Sequence, residues 1–588
     1  MRFQLDLDSS SSELGPGTRR EQNKHRNKLR KAPPAPNIVS DPNIRARFSR
    51  QAVNLPPVLS KSFEKFKARF ALQRKTQSAK DMGTLHEVPS LDECIDIKTH
   101  LPKSPSVASS NGEAYGEASS AGSSKKSHTT SNTSDSSDDV GLCRADWKPL
   151  KELPHLNFLS ILSQHVGGSI ETADADYRFV NESQGGYNYV RIYELLTGPS
   201  AGRYVIKAPS VGTAARWQEK DAYMLRSEFG TIKLIRERTD CPVPDVIAYS
   251  DSLENDLGAP FILMKACSGR LAVEVWHDAD DTNRWNAEDI DIPSAALYSK
   301  RTRILRSLAH AMAELQKLVF DKIGVLDFDN INTDGSPNVG PGWLWSVPLD
   351  FTEEDLLTDK PHFELPVHDS SSSFFVNRLL KEWPYNALDG GRVMVIHHLM
   401  DTFFRSEPFA KSVKPGDIKE TFVLRHDDLN LQNIFCDPET GELTGIIDWE
   451  RASTAPHCLG YASLPIFLTL DWYPEYSVYN DEVHNPFALT QYRKIYAEAM
   501  IEATGEEDDG KYTHKSAMYQ AAHAALYGSN LGRSIPDFVR KMLYEIPELN
   551  RVDMNVYLTW LGEYWWTAGD AVKKAVSKVA APLIVAID

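Results

Sequence analysis

Two carboxylates and an amide stand close together as Asp428, Asn433 and Asp448. In that order they suit phosphoryl transfer. One carboxylate can take the proton of an attacking hydroxyl, and an amide oxygen with a second carboxylate can hold the magnesium that bridges ATP phosphates. Asp428 is the candidate catalytic base, and Asn433 and Asp448 are the candidate magnesium ligands. Asp448 follows the apolar pair Ile446 and Ile447. It is therefore expected to end a buried strand, where an unpaired carboxylate is costly without a cation. His426 reads as a brace for the loop rather than a proton shuttle, and Asp427 adds a second negative charge beside Asp428.

A nucleotide needs a cation as well. Lys207 lies in the apolar run Tyr204–Ala208 and alternates with Val205, so as part of a strand it would point to one face and need a partner. Glu228 shares the helical stripe of Leu225 and Ile232, and is the expected partner. Such a pair would hold the lysine for the α- and β-phosphates. Gly185 and Gly186 stand between two predicted strands, where glycine lets backbone N–H groups approach phosphate. Phe261–Lys265 reads as a strand leading to a hinge, with the backbone around Met264 and Ala266 meeting adenine.

The elements that position these residues fall into two groups. Phe179–Asn181, Tyr187–Leu196, Arg203–Ala208, Val246–Tyr249 and Pro260–Ala266 read as strands. One long helix, Ala214–Arg238, interrupts them and stops at Cys241–Pro244, because proline cannot continue a helix. The later half reads as mostly helical: Lys300–Val319, Ser372–Trp383, Gly390–Phe404, Ala488–Ala503, Lys515–Tyr527, Pro536–Tyr544 and Val556–Thr567. The short strands Phe422–Arg425, Asn433–Cys436 and Leu443–Ile447 carry the chemistry, and Ala580–Ile587 reads as a docked end. The expected fold class is α+β, with a small β-rich lobe over 145–267 and a large helical lobe over 268–588, a nucleotide cleft between them.

Residues 1–144 read as a disordered tail. Ser9–Ser12, Ala32–Pro36 and the serine-rich tract Ser104–Ser137 cannot bury enough apolar surface to offset chain entropy. The net charge of −16 argues against nucleic-acid binding by the whole chain. It hides a basic stretch, Arg19–Lys80, with 17 basic and 3 acidic residues. Within it, the segment 61–75 spaces Phe63, Phe66 and Phe70 along one helical face among lysines and arginines, which suits a membrane surface or a protein groove. The six cysteines are widely spaced without a C-x-x-C pair, neither a disulfide framework nor a zinc site, and they fit a reducing, intracellular compartment. No apolar run reaches the roughly 18 residues a transmembrane helix needs. The N-terminus lacks the features of a signal or transit peptide, so the expected setting is cytoplasmic, with mitochondria as the alternative.

In the order His426-x-Asp428-Leu429-x-x-x-Asn433 followed by Ile447-Asp448-Trp449-Glu450, the chain resembles the aminoglycoside phosphotransferase and choline kinase family, distant relatives of the protein kinases. The segments Gly185–Asn188, Arg236–Pro244, Phe261–Met264 and Phe320–Gly324 support the resemblance by their order, over roughly residues 180–470. It implies a two-lobe, protein-kinase-like fold. It also implies transfer of the ATP γ-phosphate to a hydroxyl of a small molecule, with Asp428 as base, Asn433 and Asp448 on magnesium and Lys207 on phosphate. Asp427 departs from the glycine many members carry there. No Ala-Pro-Glu segment is present, which weighs against a protein acceptor. The alternatives are a non-catalytic kinase-like scaffold and a protein-directed atypical kinase. The acceptor itself is unidentified. Acidic stretches Thr352–Asp355 and Glu506–Asp509, and the aromatic pairs Trp472-Tyr473 and Trp565-Trp566, are candidate contacts for a cationic one, set against solvated loops and ordinary core packing.

Overall fold

The computed structural model describes residues 145–168, 176–278, 290–345, 362–383, 390–413, 418–474, 476, 483–527, 531–547 and 549–584. The expected tail 1–144, its basic segment 61–75 and the stretch Thr352–Asp355 lie outside them.

Two helices come first, α1 (Trp147–Lys151) and α2 (His155–His165). Strands β1 (Tyr177–Gln184), β2 (Asn188–Leu195) and β3 (Gly202–Pro209) follow, then helix α3 (Glu219–Arg238), β4 (Val246–Ser250) and β5 (Phe261–Lys265). The strands form one antiparallel sheet in the order β1-β2-β3-β5-β4. Alternate residues of β2, among them Tyr189, Tyr193 and Leu195, are buried on one face and share a core with Phe158, Leu159 and Leu162 of α2. Neither opening helix is expected from the sequence. Short helices carry weak local signals, and these are stabilised by packing on the sheet. On α3, Leu225 packs with Ile262 and Met264 of β5. The helix starts later than the expected Ala214. The N–H groups of Arg216 and Trp217 close a turn onto Thr213 O at 3.0 and 2.9 Å, and Gln218 then caps the helix with its N–H on Asp221 Oδ2 at 3.2 Å.

The second group holds more strand than expected. It contains β6 (Arg270–Leu271), helix α4 (Ala295–Ala313), β7 (Val319–Phe320), β8 (Gly324–Ile331), β9 (Pro337–Gly340), β10 (Gly342–Trp345) and β11 (His362–Leu365). Then come α5 (Gly391–Phe404), β12 (Phe422–Arg425), β13 (Ile434–Cys436), β14 (Leu443–Ile446) and β15 (Ser453–Pro456). Helices α6 (Pro486–Thr504), α7 (Ser516–Tyr527), α8 (Leu531–Tyr544) and α9 (Met554–Ile584) close the described region. One sheet runs β7-β12-β15-β8-β9, another β14-β13-β6, and β10 pairs with β11. The sequence points only to β12, β13 and β14. β8 carries Asp327, Asp329 and Asn330, residues that strands disfavour, and it exists because β15 and β9 pair with it. α4 begins before the expected Lys300, because Ser294 Oγ accepts the Leu297 N–H at 3.1 Å. α9 runs past the expected Thr567, kinked at Ala568 with φ −143°. Among the described residues, no helix is long and apolar enough to cross a membrane, and Cys241, Cys267, Cys436 and Cys458 are free thiols.

Helix α3 is held from β8 as well as from its own sheet. Arg226 reaches Asp329 at 2.8 Å, Glu219 at 2.7 Å and Asp251 at 2.5 Å. Gly230 faces Phe328 so closely that an added Cβ would stand 2.5 Å from the ring. Alanine normally favours a helix over glycine by about 1 kcal/mol. Here Gly230→Ala is expected to destabilise by about 1–3 kcal/mol through overpacking, read from denaturant unfolding; a variant as stable as the parent contradicts the contact.

Burial also sets a pH dependence. It lowers the pKa of His277, His368, His398, His426, His484, His514 and His523 below the ordinary 6.5, for His277 to about 4. The fold therefore binds these protons less readily than the unfolded chain does. Their contribution is intact above pH 6.5 and is lost as pH falls below it. The melting temperature is expected to start falling just below pH 6.5; a flat profile from pH 8 to pH 5 would contradict this.

Candidate active site

β12 delivers the chain to a braced loop. His426 is buried, its Nε2 lies 3.0 Å from Ile447 O, and its Nδ1 accepts the Asp428 N–H at 3.1 Å. This pairing selects the tautomer with the proton on Nε2, donated to Ile447 O. Burial keeps the ring neutral by lowering its pKa. The imidazole also meets Trp449 edge-on at 4.6 Å. A ring using both nitrogens on the backbone is placed as a brace.

Asn433 is buried just after the loop, and its Nδ2 donates to Asp428 O at 2.8 Å and to Asp428 Oδ2 at 3.1 Å. The carboxylate of Asp428 is thereby oriented, and the amide oxygen of Asn433 is left as its acceptor end. Asp427 lies 3.9 Å from Arg425 Nη2, so its charge has a cationic neighbour.

Asp448 follows β14 and Ile447, whose N–H donates to Asn433 O at 2.9 Å. Its φ is +65°, a left-handed conformation that costs roughly 1–2 kcal/mol for a non-glycine residue. Such strain persists where the surroundings over-determine it. Trp449, fully buried with Nε1 on Ile446 O at 3.0 Å, supplies that hold.

Lys207 crosses from β3 to meet these residues. Its Nζ donates to Glu228 Oε1 at 2.6 Å and to Asp448 Oδ1 at 2.8 Å, and lies 3.9 Å from Glu450 Oε2. Burial alone would lower its pKa, but Asp448, then Glu228 and Glu450, hold it above the ordinary value. Glu228 is pushed up by burial against the pull of Lys207, and Asp448 is pulled down by Lys207 against its burial. Three carboxylates thus surround one ammonium, an arrangement with room for further positive charge.

The turn between β1 and β2 reaches over this cluster. Gly186 lines the cavity beside Lys207, whereas the Gly185 N–H already donates to Asn188 O at 2.8 Å. Asn188 Nδ2 donates to Glu450 Oε2 at 2.9 Å, and the Arg451 guanidinium stands 5.3 Å from the Tyr187 ring. These four residues clasp the turn to the Asp448 segment, a contact no local pattern in the sequence announces. Met264 stands apart from the cluster. It is paired inside the sheet with Val205 and Val246 and packs on α3, while the Ala266 N–H is used on Arg203 O at 2.9 Å. Of the acceptor candidates, Asp509 is buried against His457 at 2.7 Å, Trp472 packs on the core, Trp565 is buried and Trp566 is exposed.

Residues 189–459 match the phosphotransferase enzyme family. The matched region takes in Lys207, Glu228, Met264, Asp428, Asn433 and Asp448, while Gly185 and Gly186 lie just ahead of it. It has the two-lobe, protein-kinase-like α+β fold expected from the sequence. A subtelomeric hrmA-associated cluster protein of Aspergillus fumigatus is 25% identical over 324 residues, 48% of this chain and 59% of that one. A protein of Candida dubliniensis named altered inheritance of mitochondria protein 9 is 35% identical over 83 residues, 13% of each chain. The chain therefore spans 59% or less of the length of these curated relatives. A choline kinase structure from Cryptosporidium parvum aligns with a TM-score of 0.34 at 10% identity, covering 68% of this chain and 98% of that one.

Proposed function

We propose that this protein transfers the terminal phosphate of ATP, with magnesium, to a hydroxyl of a small molecule. The observation that carries the reading is the buried Lys207 joined to both Glu228 and Asp448, with the Asp428–Asn433 pair on the neighbouring loop. Lys207 would hold phosphate oxygens, and Glu228 keeps it in place. Asp428, oriented by Asn433, would align the acceptor hydroxyl and take its proton. His426 keeps the loop in shape and moves no proton. Asn433 and Asp448 would hold magnesium, and the carboxylate excess around Lys207 together with the amide oxygen of Asn433 fits an oxygen-seeking cation. When bound, the ion would offset the negative charge of the phosphates. A non-catalytic scaffold would have no use for such a buried charged group, since apolar replacements of similar volume are often as stable or more so.

The reading also places the protein inside the cell, where thiols such as Cys241 and Cys458 stay reduced. Cytoplasm is the first choice, and the Candida relative's name keeps mitochondria as the alternative.

The test is ATP binding by thermal shift with and without magnesium, followed by ADP release with pooled small-molecule alcohols. A magnesium-dependent rise in melting temperature and acceptor-dependent ADP release are expected. Neither effect appearing would overturn the reading.

A further inference from the structure

An arginine with few partners stands at the end of β12. Arg425 precedes Asp428 by three residues, so their Cα atoms lie within about 11 Å of each other. The Arg425 side chain is only 14% exposed, and the nearest described carboxylate, Asp427, stays 3.9 Å from Nη2. Among the described residues the guanidinium makes one hydrogen bond, from Nη1 to His523 Nδ1 at 3.5 Å. Nε and Nη2 make none, and neither is sealed from solvent. Arg191, Arg301 and Arg493 are similarly buried, yet each donates from Nε, at 3.0, 2.8 and 2.6 Å. Arg425 thus bears the desolvation cost of burial without matching bonds.

Aromatic side chains hold this guanidinium in place. His523 on α7 is stacked on Phe374 with ring centroids 5.4 Å apart, and meets Tyr527 at 4.6 Å. Burial, then Arg425 and Arg378, lower its pKa well below 6.5. The ring is therefore neutral, and its Nδ1 can accept from Arg425. Tyr473 feels both loop charges: burial raises its pKa, Arg425 lowers it and Asp427 raises it. A planar fork of donors, a neutral imidazole and a phenol thus stand beside the loop of Asp428.

We propose that the phosphate acceptor is a hydroxy acid, an alcohol that also carries a carboxylate, and that Arg425 binds this carboxylate through Nε and Nη2. Guanidinium and carboxylate match through two parallel N–H bonds. A single guanidinium with Asp427 close by suits a monoanion better than a phosphate dianion. A cationic acceptor, for which the sequence offers acidic and aromatic stretches, would instead meet a like charge. In the transfer the hydroxyl oxygen would bond to the γ-phosphorus as the bond to the ADP oxygen breaks, and the hydroxyl proton would pass to Asp428. The acceptor assignment rests on the phosphotransfer reading of Asp428, and Arg425 acts in it as a specificity-determining residue.

The test gives the full chain ATP, magnesium and one of three acceptor pools: hydroxy carboxylates, uncharged polyols or amino alcohols. ADP release is expected from the hydroxy carboxylates. Arg425→Gln should raise their KM about tenfold to a hundredfold, the range for a hydrogen bond to a charged group, and change kcat far less. Arg425→Lys keeps the charge and should recover part of the loss. The pool comparison on the parent chain decides even where a variant does not fold. Release from polyols or amino alcohols that equals or exceeds release from hydroxy carboxylates overturns the proposal. So does magnesium-dependent ATP binding with release from no pool, or a KM that Arg425→Gln leaves unchanged. Absence of magnesium-dependent ATP binding, by contrast, removes the phosphotransfer reading itself, and the acceptor assignment falls with it.

Discussion

Asp428→Asn should lower turnover by about 10²- to 10⁴-fold, the range typical of a removed general base, while leaving magnesium-dependent ATP binding nearly unchanged. The asparagine keeps the size of the side chain and can still accept from Asn433 Nδ2, now 3.1 Å from Asp428 Oδ2. His426 Nδ1 would still receive the backbone N–H of residue 428, so the loop should keep its shape. What would be lost is the charge proposed to take the hydroxyl proton. Single-turnover kinetics beside a binding titration separate the two effects. Turnover within a few-fold of the parent would remove Asp428 from the role of base. Loss of ATP binding together with turnover would instead make Asp428 part of the nucleotide site.

Lys207→Met should be the most destabilising single change in the cleft. It leaves Glu228, only 6% exposed, without the ammonium that now lies 2.6 Å away. Removing one partner of a buried ion pair costs roughly 3–5 kcal/mol, because the other charge stays buried and unpaired. Asp448, whose side chain is 36% exposed, can turn toward water and contributes less. The double variant Lys207→Met with Glu228→Leu should recover most of the lost stability, since an apolar pair of similar volume is well tolerated. It should not recover ATP binding if Lys207 holds the phosphates as proposed. Urea unfolding of both single variants and the double variant closes the cycle. A Lys207→Met protein as stable as the parent would contradict a stabilising role for the pair.

The two predictions separate the halves of the cleft. Asp428 and Asn433 are five residues apart on one loop, and their hydrogen bonds form within it. Lys207 and Asp448 are separated by 241 positions, and their contact exists only because the two lobes close on each other. Damage to the first pair should appear in rate, and damage to the second in stability and binding.

Much of the site was legible because its parts are local. The spacing of Asp428, Asn433 and Asp448, the alternation that buries Lys207, and the helical stripe shared by Leu225, Glu228 and Ile232 follow from strand and helix periods alone. The partnership of Lys207 and Glu228 could also be anticipated, since a strand and the helix after it bring both to one face. Other features lay beyond local signals. α1 and α2 are too short to declare themselves and are secured by the outer face of the sheet. β8, with its aspartates, is a strand because β15 and β9 supply hydrogen bonds. Met264 lies in the strand expected to lead to a hinge, and its pairing with Val205 and Val246 comes from neighbouring strands distant in sequence.

By itself, the sequence determined the two-lobe order and the chemical identity of the loop residues, because propensity, periodicity and turn chemistry act over a few neighbouring positions. Only the tertiary structure decided which charges meet. The second bond from Lys207 to Asp448 and the clasp of Asn188 on Glu450 each join residues more than two hundred positions from one another. Packing of whole elements sets such contacts, and no short-range rule encodes them.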